Sequence, residues 1–197
     1  RKMAPGVTYL MPVKGQTITF AGAGEWGGES NLWKSQNGTA VMNVPITTTG
    51  TTYISEGTLE SYSRIDGALE IRAKGTLAGA PTVKGKVTFE RALNYEGGRL
   101  MPNGTMTFAQ DLKMDKRVFI EMTRSTDLVA VKGNLSVTGP VVFSIMFPEL
   151  TPGKYKLIEF SGEFSGKMEN FSLRGLTGLS CNIVKEDHAI YLVINEQ

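Results

Sequence analysis

Hydrophobic and polar residues alternate in short runs along much of the chain, and these runs predict β-strands. Clear examples are residues 17–20, 86–89, 135–137 and 156–160. A period of two places successive side chains on opposite faces of a strand. The best helix candidate, residues 108–122, also has apolar positions that mostly alternate, so it predicts strands as well.

Glycines followed by an apolar residue two positions later recur between these runs. Gly57, Gly67, Gly75 and Gly85 begin such steps and lie 10, 8 and 10 residues apart. That spacing is the length of one short strand plus one turn. The chain has 23 glycines in 197 residues, and frequent turns explain the excess because glycine tolerates positive φ. The pattern predicts stacked strands rather than strands alternating with helices.

We therefore predict an all-β protein, with a single-stranded parallel β-helix as the favoured architecture. About eight coils of roughly 20–25 residues each are expected if three short strands form one coil. We predict one solenoid domain, 1–197, with an irregular cap at 1–52, a regular ladder at 53–108, and terminal, more hairpin-like coils at 109–197. An antiparallel β-sandwich is the alternative, because it also contains short strands joined by turns.

Composition and charge exclude several classes of function. Hydrophobic residues make up 41% of the chain, which indicates a folded core rather than disorder. The net charge is +2, from 21 basic and 19 acidic residues that are scattered along the chain, so nucleic-acid binding is not expected. No apolar run reaches the roughly 18 residues that indicate a transmembrane helix. Cys181 is the only cysteine, so no internal disulfide can form.

The aromatic residues are the best candidates for a binding function. Trp26 and Trp33 lie near glycines and Asn31, which would leave their rings accessible for stacking on sugar rings. The alternative is that both tryptophans close the N-terminal end of a solenoid. Candidate extensions of a sugar-binding surface are Tyr53, Tyr62 and Tyr95.

Candidate catalytic residues are harder to identify. His188, the only histidine, lies in a polar cluster before the last apolar run and predicts a turn. No nucleophile elbow of the Gly-x-Ser-x-Gly type occurs. No cofactor or metal site is expected, because neither clustered cysteines nor a second histidine is present. Basic residues that could take a proton or bind uronates are Arg64, Arg72, Arg91 and Arg99.

Several motifs in sequence order carry a family resemblance. They are Gly50-Thr51-Thr52-Tyr53-Ile54 leading to Gly57-Thr58-Leu59, the turn Gly97-Gly98-Arg99-Leu100-Met101-Pro102-Asn103-Gly104-Thr105-Met106, the strand Asp127-Leu128-Val129-Ala130-Val131-Lys132-Gly133-Asn134-Leu135, and the hairpin Thr151-Pro152-Gly153-Lys154-Tyr155-Lys156-Leu157-Ile158. Together these motifs resemble the autotransporter-associated β-strand repeats of bacterial surface proteins, over about two thirds of the chain.

The resemblance implies a right-handed parallel β-helix that is exported to the surface, periplasm or exterior of a Gram-negative bacterium. Autotransporters end in a membrane barrel with an aromatic last residue, whereas this sequence ends in Asn195-Glu196-Gln197. A passenger fragment, or a terminal module of a polysaccharide-degrading enzyme, is therefore expected. The assignment to a polysaccharide-degrading host protein rests on analogy at the level of the fold.

The expected function is a non-catalytic scaffold, spacer or carbohydrate-binding module. Its expected partners are a polysaccharide and the rest of a parent polypeptide or a partner chain. The alternatives are a part of a glycoside hydrolase or polysaccharide lyase and an adhesin fragment. A catalytic surface should place two carboxylates, or a basic residue beside one, in a cleft near the tryptophans.

Overall fold

The computed structural model describes residues 2–90, 97–176 and 178–196, and for residues 2–5 only the backbone. Strands make up 60% of the structure and helix 2%, so the prediction of an all-β protein is confirmed. The helical part is one short 3₁₀ turn at Met168–Asn170. No helix within the described ranges has the length and apolar character needed to cross a membrane.

The described residues form 22 strands. In chain order they are β1 Lys2–Leu10, β2 Thr17–Phe20, β3 Trp26–Lys34, β4 Thr39–Met42, β5 Ile46–Thr48, β6 Thr51–Ser61, β7 Arg64–Ile65, β8 Ala68–Gly79, β9 Thr82–Val83, β10 Val87–Phe89, β11 Gly98–Pro102, β12 Thr105–Phe108, β13 Leu112–Met114, β14 Val118–Met122, β15 Leu128–Val131, β16 Leu135–Val137, β17 Val141–Ile145, β18 Gly153–Phe160, β19 Phe164–Gly166, β20 Phe171–Arg174, β21 Cys181–Glu186 and β22 Ala189–Ile194.

Most strand pairs are parallel, and they follow three ladders that the chain visits in turn. Ladder 1 contains residues 7–10, 31–34, 52–54, 69–71 and 87–89. Ladder 2 contains residues 17–20, 39–42, 58–61, 76–79, 99–102, 118–122, 141–145 and 171–174. Ladder 3 contains residues 26–28, 46–48, 64–65, 82–83, 107–108, 129–131 and 158–160.

The number of residues between paired positions first falls and then rises along the chain, and it is 24 between Val7 and Asn31 near the start. Thr51 pairs with Ala68, 17 residues further on, whereas Val141 pairs with Phe171, 30 residues further on. Extra residues lie in the turns between ladders, where they do not disturb the pairing. The in-register alignment is therefore preserved while the loops differ in length.

A continuous core lies on the inner side of these strands. Leu100, Ile120 and Phe143 occupy matching positions in three successive strands of ladder 2, and all three side chains are fully buried. Alternate residues face outward, as the alternating pattern predicts. Each row of apolar side chains thus covers the next row, which supplies the main hydrophobic stabilisation.

The large sheet has 19 strands, is nearly closed and is mixed. Its antiparallel pairs in the described part are β18 with β22 and β21 with β22. A second sheet of three parallel strands contains β13, β16 and β19. Antiparallel pairing, which a β-sandwich requires throughout, is therefore confined to the end of the described chain.

The sequence predicted an irregular cap at 1–52, but the described residues before position 49 contain regular strands. Strands β1 to β5 pair in parallel within the three ladders, with one register shift in β1 between Met3 and Gly6. The glycine-rich segment after β2 forms a turn, in which Gly22 and Gly24 adopt positive φ. Glycine allows these conformations without a steric penalty, so the irregular composition marks a turn and not a loss of strand order.

Candidate functional site

Aromatic side chains lie one above another on the outer face of ladder 1. Tyr9, Trp33 and Tyr53 occupy paired positions on three successive strands. The ring centroids of Trp33 and Tyr53 are 4.6 Å apart, and those of Tyr9 and Trp33 are 6.2 Å apart. The shorter separation matches the spacing of neighbouring strands, about 4.8 Å. The register of the parallel strands therefore produces the stack.

An arginine completes this stack. The guanidinium carbon of Arg72 lies 4.7 Å from the ring centroid of Trp33 and 5.3 Å from that of Tyr53, which is cation–π geometry. The Nε of Arg72 also contacts Glu70 Oε1 at 2.8 Å and Glu90 Oε2 at 3.2 Å. We call Tyr9, Trp33, Tyr53 and Arg72 the aromatic platform.

The aromatic platform combines an apolar surface with hydrogen-bonding groups. Tyr9 is 56% exposed, whereas Trp33, Tyr53 and Arg72 are half-buried. A guanidinium donates hydrogen bonds and a carboxylate accepts them. Sugar rings offer both C–H faces and hydroxyl groups, so this set of groups matches the chemistry of a saccharide.

A buried lysine lies directly beneath the platform. Lys34 follows Trp33 in β3, and its side chain points inward with no exposed surface. Its Nζ donates hydrogen bonds to the backbone carbonyls of Ser35, Gln36 and Glu56, at 3.1, 2.7 and 2.8 Å. Burial lowers the pKa of Lys34 to about 8, although the charge of Glu56 opposes this shift. The amine therefore links the segment that follows β3 to strand β6, below Trp33 and Tyr53.

The structure places Trp26 apart from the aromatic platform. Trp26 pairs with Ile46 on ladder 3 and makes an edge-to-face contact with Phe20, with centroids 4.7 Å apart. Both aromatic residues are partly buried against the core. This position matches the alternative that Trp26 covers the interior near the start of the described chain.

Tyr62 lies on a different surface, at the turn between ladders 2 and 3. Its hydroxyl donates a hydrogen bond to Glu60 and accepts one of 2.7 Å from Asn103 Nδ2. The bond to Glu60 is the main reason why the pKa of Tyr62 is raised. Asn103, Glu60 and Arg124 line a small cleft of about 240 Å³. Tyr95, the remaining candidate, lies outside the described residues.

Asp127 fixes the backbone beside that cleft. Burial by itself would raise the pKa of this carboxylate, but hydrogen bonds outweigh burial and the pKa is lowered. The donors include the backbone N–H groups of Gly104 at 2.9 Å, Thr123 at 3.0 Å and Arg124 at 2.9 Å. Asp127 thus stabilises this turn. In the sequence, the motif that begins at Asp127 was noted only as part of a family resemblance.

His188 lies in the turn between β21 and β22, as the sequence predicted. Its Nδ1 is 3.1 Å from the carbonyl oxygen of Gly162, and its ring contacts Phe160 edge to face. Within the described ranges, no group of three or more His, Cys, Asp or Glu residues could hold a metal ion. These contacts connect the terminal hairpin to the preceding turn.

A basic groove is the feature that sequence reasoning missed. It has a volume of about 550 Å³ and lies on the outer face of ladder 2. Its lining includes four basic side chains, which come from separate strands and turns and are Lys74, Arg99, Arg117 and Arg174. These residues are 18 to 57 positions apart, so no basic run appears in the sequence. Only the pairing of distant strands brings these side chains together, and this pairing cannot be read from the sequence.

No family model matches the chain. A search of curated proteins also finds no match.

Proposed function

We propose that the chain is a non-catalytic scaffold, spacer or carbohydrate-binding module of an exported bacterial protein that acts on polysaccharide. In this proposal the chain forms a right-handed parallel β-helix, and the aromatic platform is its sugar-binding surface. The observation that carries the proposal is the alignment of Tyr9, Trp33 and Tyr53 with Arg72 on one outer face.

The three ladders support the solenoid part of this proposal. Parallel strands recur in the order ladder 3, ladder 1, ladder 2, and matching residues lie one above another. Such coils contact mainly their neighbours, so the outer faces can vary without loss of the core. A solenoid is therefore suited to a spacer or to an extended binding surface. The resemblance to autotransporter-associated repeats supports the export and surface location.

The platform supports the binding part because its components are already held in place. Trp33 and Tyr53 contact each other, Arg72 covers both rings, and Glu70 and Glu90 orient the guanidinium. Binding of a ligand to such a surface costs little side-chain conformational entropy. The exposed ring of Tyr9 extends the surface toward the first strand.

A second candidate function is a role in a carbohydrate-active enzyme. The geometry that favours it is Arg72 between the carboxylates of Glu70 and Glu90, beside Trp33. Pairs of carboxylates hydrolyse glycosidic bonds when one acts as the acid and the other as a base or nucleophile. In this structure both carboxylates contact the same guanidinium, that of Arg72.

A glycan array and a reducing-end assay test the two candidates together. Wild type, Trp33→Ala/Tyr53→Ala and the control Trp26→Phe are applied to neutral glycans, after circular dichroism has confirmed that each is folded. We expect wild type and the control to bind the same glycans and the double variant to bind at least about tenfold more weakly. No variant should release reducing ends.

Two outcomes would contradict the module proposal. Equal binding by the double variant would show that the platform is not the sugar-binding surface. Release of reducing ends by wild type, lost in Glu70→Gln/Glu90→Gln, would instead assign the chain to the enzyme class.

A further inference from the structure

The basic groove lies across four successive parallel strands of ladder 2. Arg99 in β11, Phe119 in β14, Val142 in β17 and Ser172 in β20 occupy matching positions on its floor. With a strand spacing of about 4.8 Å, these four residues extend over roughly 14 Å. The groove is therefore long enough for a ligand that carries more than one charged group.

The positive charge of the groove exceeds its negative charge. Arg99 contacts Glu121, which balances its charge. Lys74 and Arg174 have no carboxylate within 4 Å among the residues that the structure describes, and both are exposed. Elsewhere on the surface, basic residues such as Arg64 and Lys84 contact Asp66. The groove therefore brings two basic side chains without a carboxylate partner in the described residues into one cavity.

An aromatic floor positions the charged groups. The guanidinium carbons of Arg99 and Arg174 lie 5.0 and 5.9 Å from the ring centroid of Phe119. Stacking on a ring limits the motion of a guanidinium and leaves its edge free to donate hydrogen bonds. Arg174 therefore presents its edge to a ligand above Phe119, which is itself 8% exposed, whereas the guanidinium of Arg99 contacts Glu121.

The backbone at one end of the groove must stay close to the next strand. A Cβ atom at Gly97 would lie 2.1 Å from the carbonyl oxygen of Arg117. Only glycine allows this approach, so the segment before Arg99 is fixed against the segment before Phe119. The positions of Arg99 and Arg117 therefore depend on the fold and not on the ligand.

We propose that the basic groove binds an anionic oligosaccharide through its carboxylate or sulfate groups. Arginine pairs with planar carboxylates and with sulfate-like oxygens through two parallel hydrogen bonds. The apolar groups of Phe119, Val142 and Pro140 contact the C–H faces of the sugar rings. A repeating acidic saccharide supplies both the regular charges and these faces. The site lies on ladder 2, so the proposal does not depend on the aromatic platform.

Isothermal titration calorimetry with defined oligosaccharides tests this proposal. The probes are an oligogalacturonate, a sulfated oligosaccharide and a neutral oligosaccharide of equal length, with inorganic sulfate and single-stranded DNA as further arms. We expect at least one of the two acidic oligosaccharides to bind, and which one binds identifies the anionic group. The neutral oligosaccharide should not bind at this site.

Two matched variants localise the binding. Lys74→Ala/Arg174→Ala removes the two exposed charges of the groove, and we expect about a tenfold or greater loss of affinity. Lys14→Ala/Lys86→Ala removes two exposed charges elsewhere and should leave affinity within about twofold. Trp33→Ala/Tyr53→Ala should also leave acidic binding unchanged, which separates this site from the proposed function.

The proposal is overturned if neither acidic oligosaccharide binds. It is also overturned if Lys74→Ala/Arg174→Ala and the control Lys14→Ala/Lys86→Ala lose affinity equally, since the binding would then reflect net charge alone. Binding of inorganic sulfate as tightly as the oligosaccharide would assign the groove to a small anion, and tighter binding of DNA would assign it to nucleic acid.

Discussion

The aromatic platform and the basic groove both lie on outer faces of parallel strands, but their charges are balanced in different ways. Arg72 in the platform contacts two carboxylates and covers two rings. Lys74 and Arg174 in the groove have no carboxylate partner in the described part of the chain. The platform is thus part of the network that stabilises the fold, whereas the groove keeps charge available to a ligand.

The two regions also differ in what lies beneath them. Below the platform, the ammonium of Lys34 is buried and donates to three backbone carbonyls. Below the groove, the residues that alternate with its floor are apolar, as at Leu100, Ile120 and Phe143. Substitutions around the platform should therefore affect stability and binding together, and substitutions in the groove should affect binding alone.

Gly75→Ala should have the largest effect because it disturbs the segment shared by both regions. Arg72 and Lys74 lie within three residues of Gly75, and a Cβ there would lie 2.0 Å from the carbonyl oxygen of Ile54. We expect a loss of about 3 kcal/mol in the free energy of unfolding. Chemical denaturation measures it.

The control for Gly75 is Gly15→Ala. Gly15 has a φ of +80° but open space around the added methyl group, so only the backbone conformation is penalised, by about 1 kcal/mol. If the two variants were equally stable, the close packing of the strands at Gly75 would not determine the position of either region.

Lys34→Met should reduce the free energy of unfolding at pH 7 by about 2 kcal/mol. The methionine fills the space but leaves the three carbonyl groups without this donor. Urea denaturation of wild type and variant measures the difference. An unchanged stability would show that the platform does not depend on the buried ammonium.

The pH dependence of that difference provides a sharper test. Because the pKa of Lys34 is about 8 in the folded protein and 10.5 in the reference state, the unfolded chain binds more protons between these values. The contribution of Lys34 to stability is therefore complete above pH 10.5 and is lost as the pH falls to about 8, by up to roughly 3 kcal/mol. The gap between wild type and Lys34→Met should widen over this window as pH rises.

Arg72→Ala should reduce stability by about 1 kcal/mol. The change removes two partly exposed ion pairs and two cation–π contacts, each of which contributes little at a surface. Arg72→Lys is the matched variant, since it retains the charge without the planar group. If the lysine variant were as stable as wild type, stacking of the guanidinium on the rings would be unimportant.

Lys74→Ala/Arg174→Ala should change the free energy of unfolding by less than about 0.5 kcal/mol, because both side chains are exposed. Thermal unfolding at low and high salt measures this small effect. A loss as large as that of Arg72→Ala would remove the distinction between the two regions.

The sequence predicted the strands of this protein better than it predicted the candidate sites. Alternation at residues 108–122 excluded a helix, and β13 and β14 are found there. Composition was misleading at 22–28, where glycines indicated an irregular cap. Gly22 and Gly24 lie in a turn between paired strands, and Gly27 and Gly28 lie within β3. Local patterns indicate which face of a strand a side chain occupies, but they do not indicate which strand lies next to it.

The same limitation applies to the surfaces. Trp33 and Tyr53 were identified as candidates, but the sequence could not distinguish them from Trp26, which packs beside Phe20. The sequence suggested Arg72 and Arg99 as uronate-binding residues, but it did not show which residues each of them contacts. Their environments depend on pairing between distant segments. Arg99, for example, pairs with Thr76 and Phe119, which lie 23 and 20 positions away, and these distances depend on the length of each turn.

Tryptophan fluorescence of Trp26→Phe tests the central claim most directly, because Trp33 is then the only tryptophan. The protein is titrated with each member of a panel of soluble neutral polysaccharides. We predict a saturable change in Trp33 emission with at least one of them, together with protection from acrylamide quenching. If a polysaccharide binds the protein while Trp33 emission and quenching stay constant, the aromatic platform is not the sugar-binding surface.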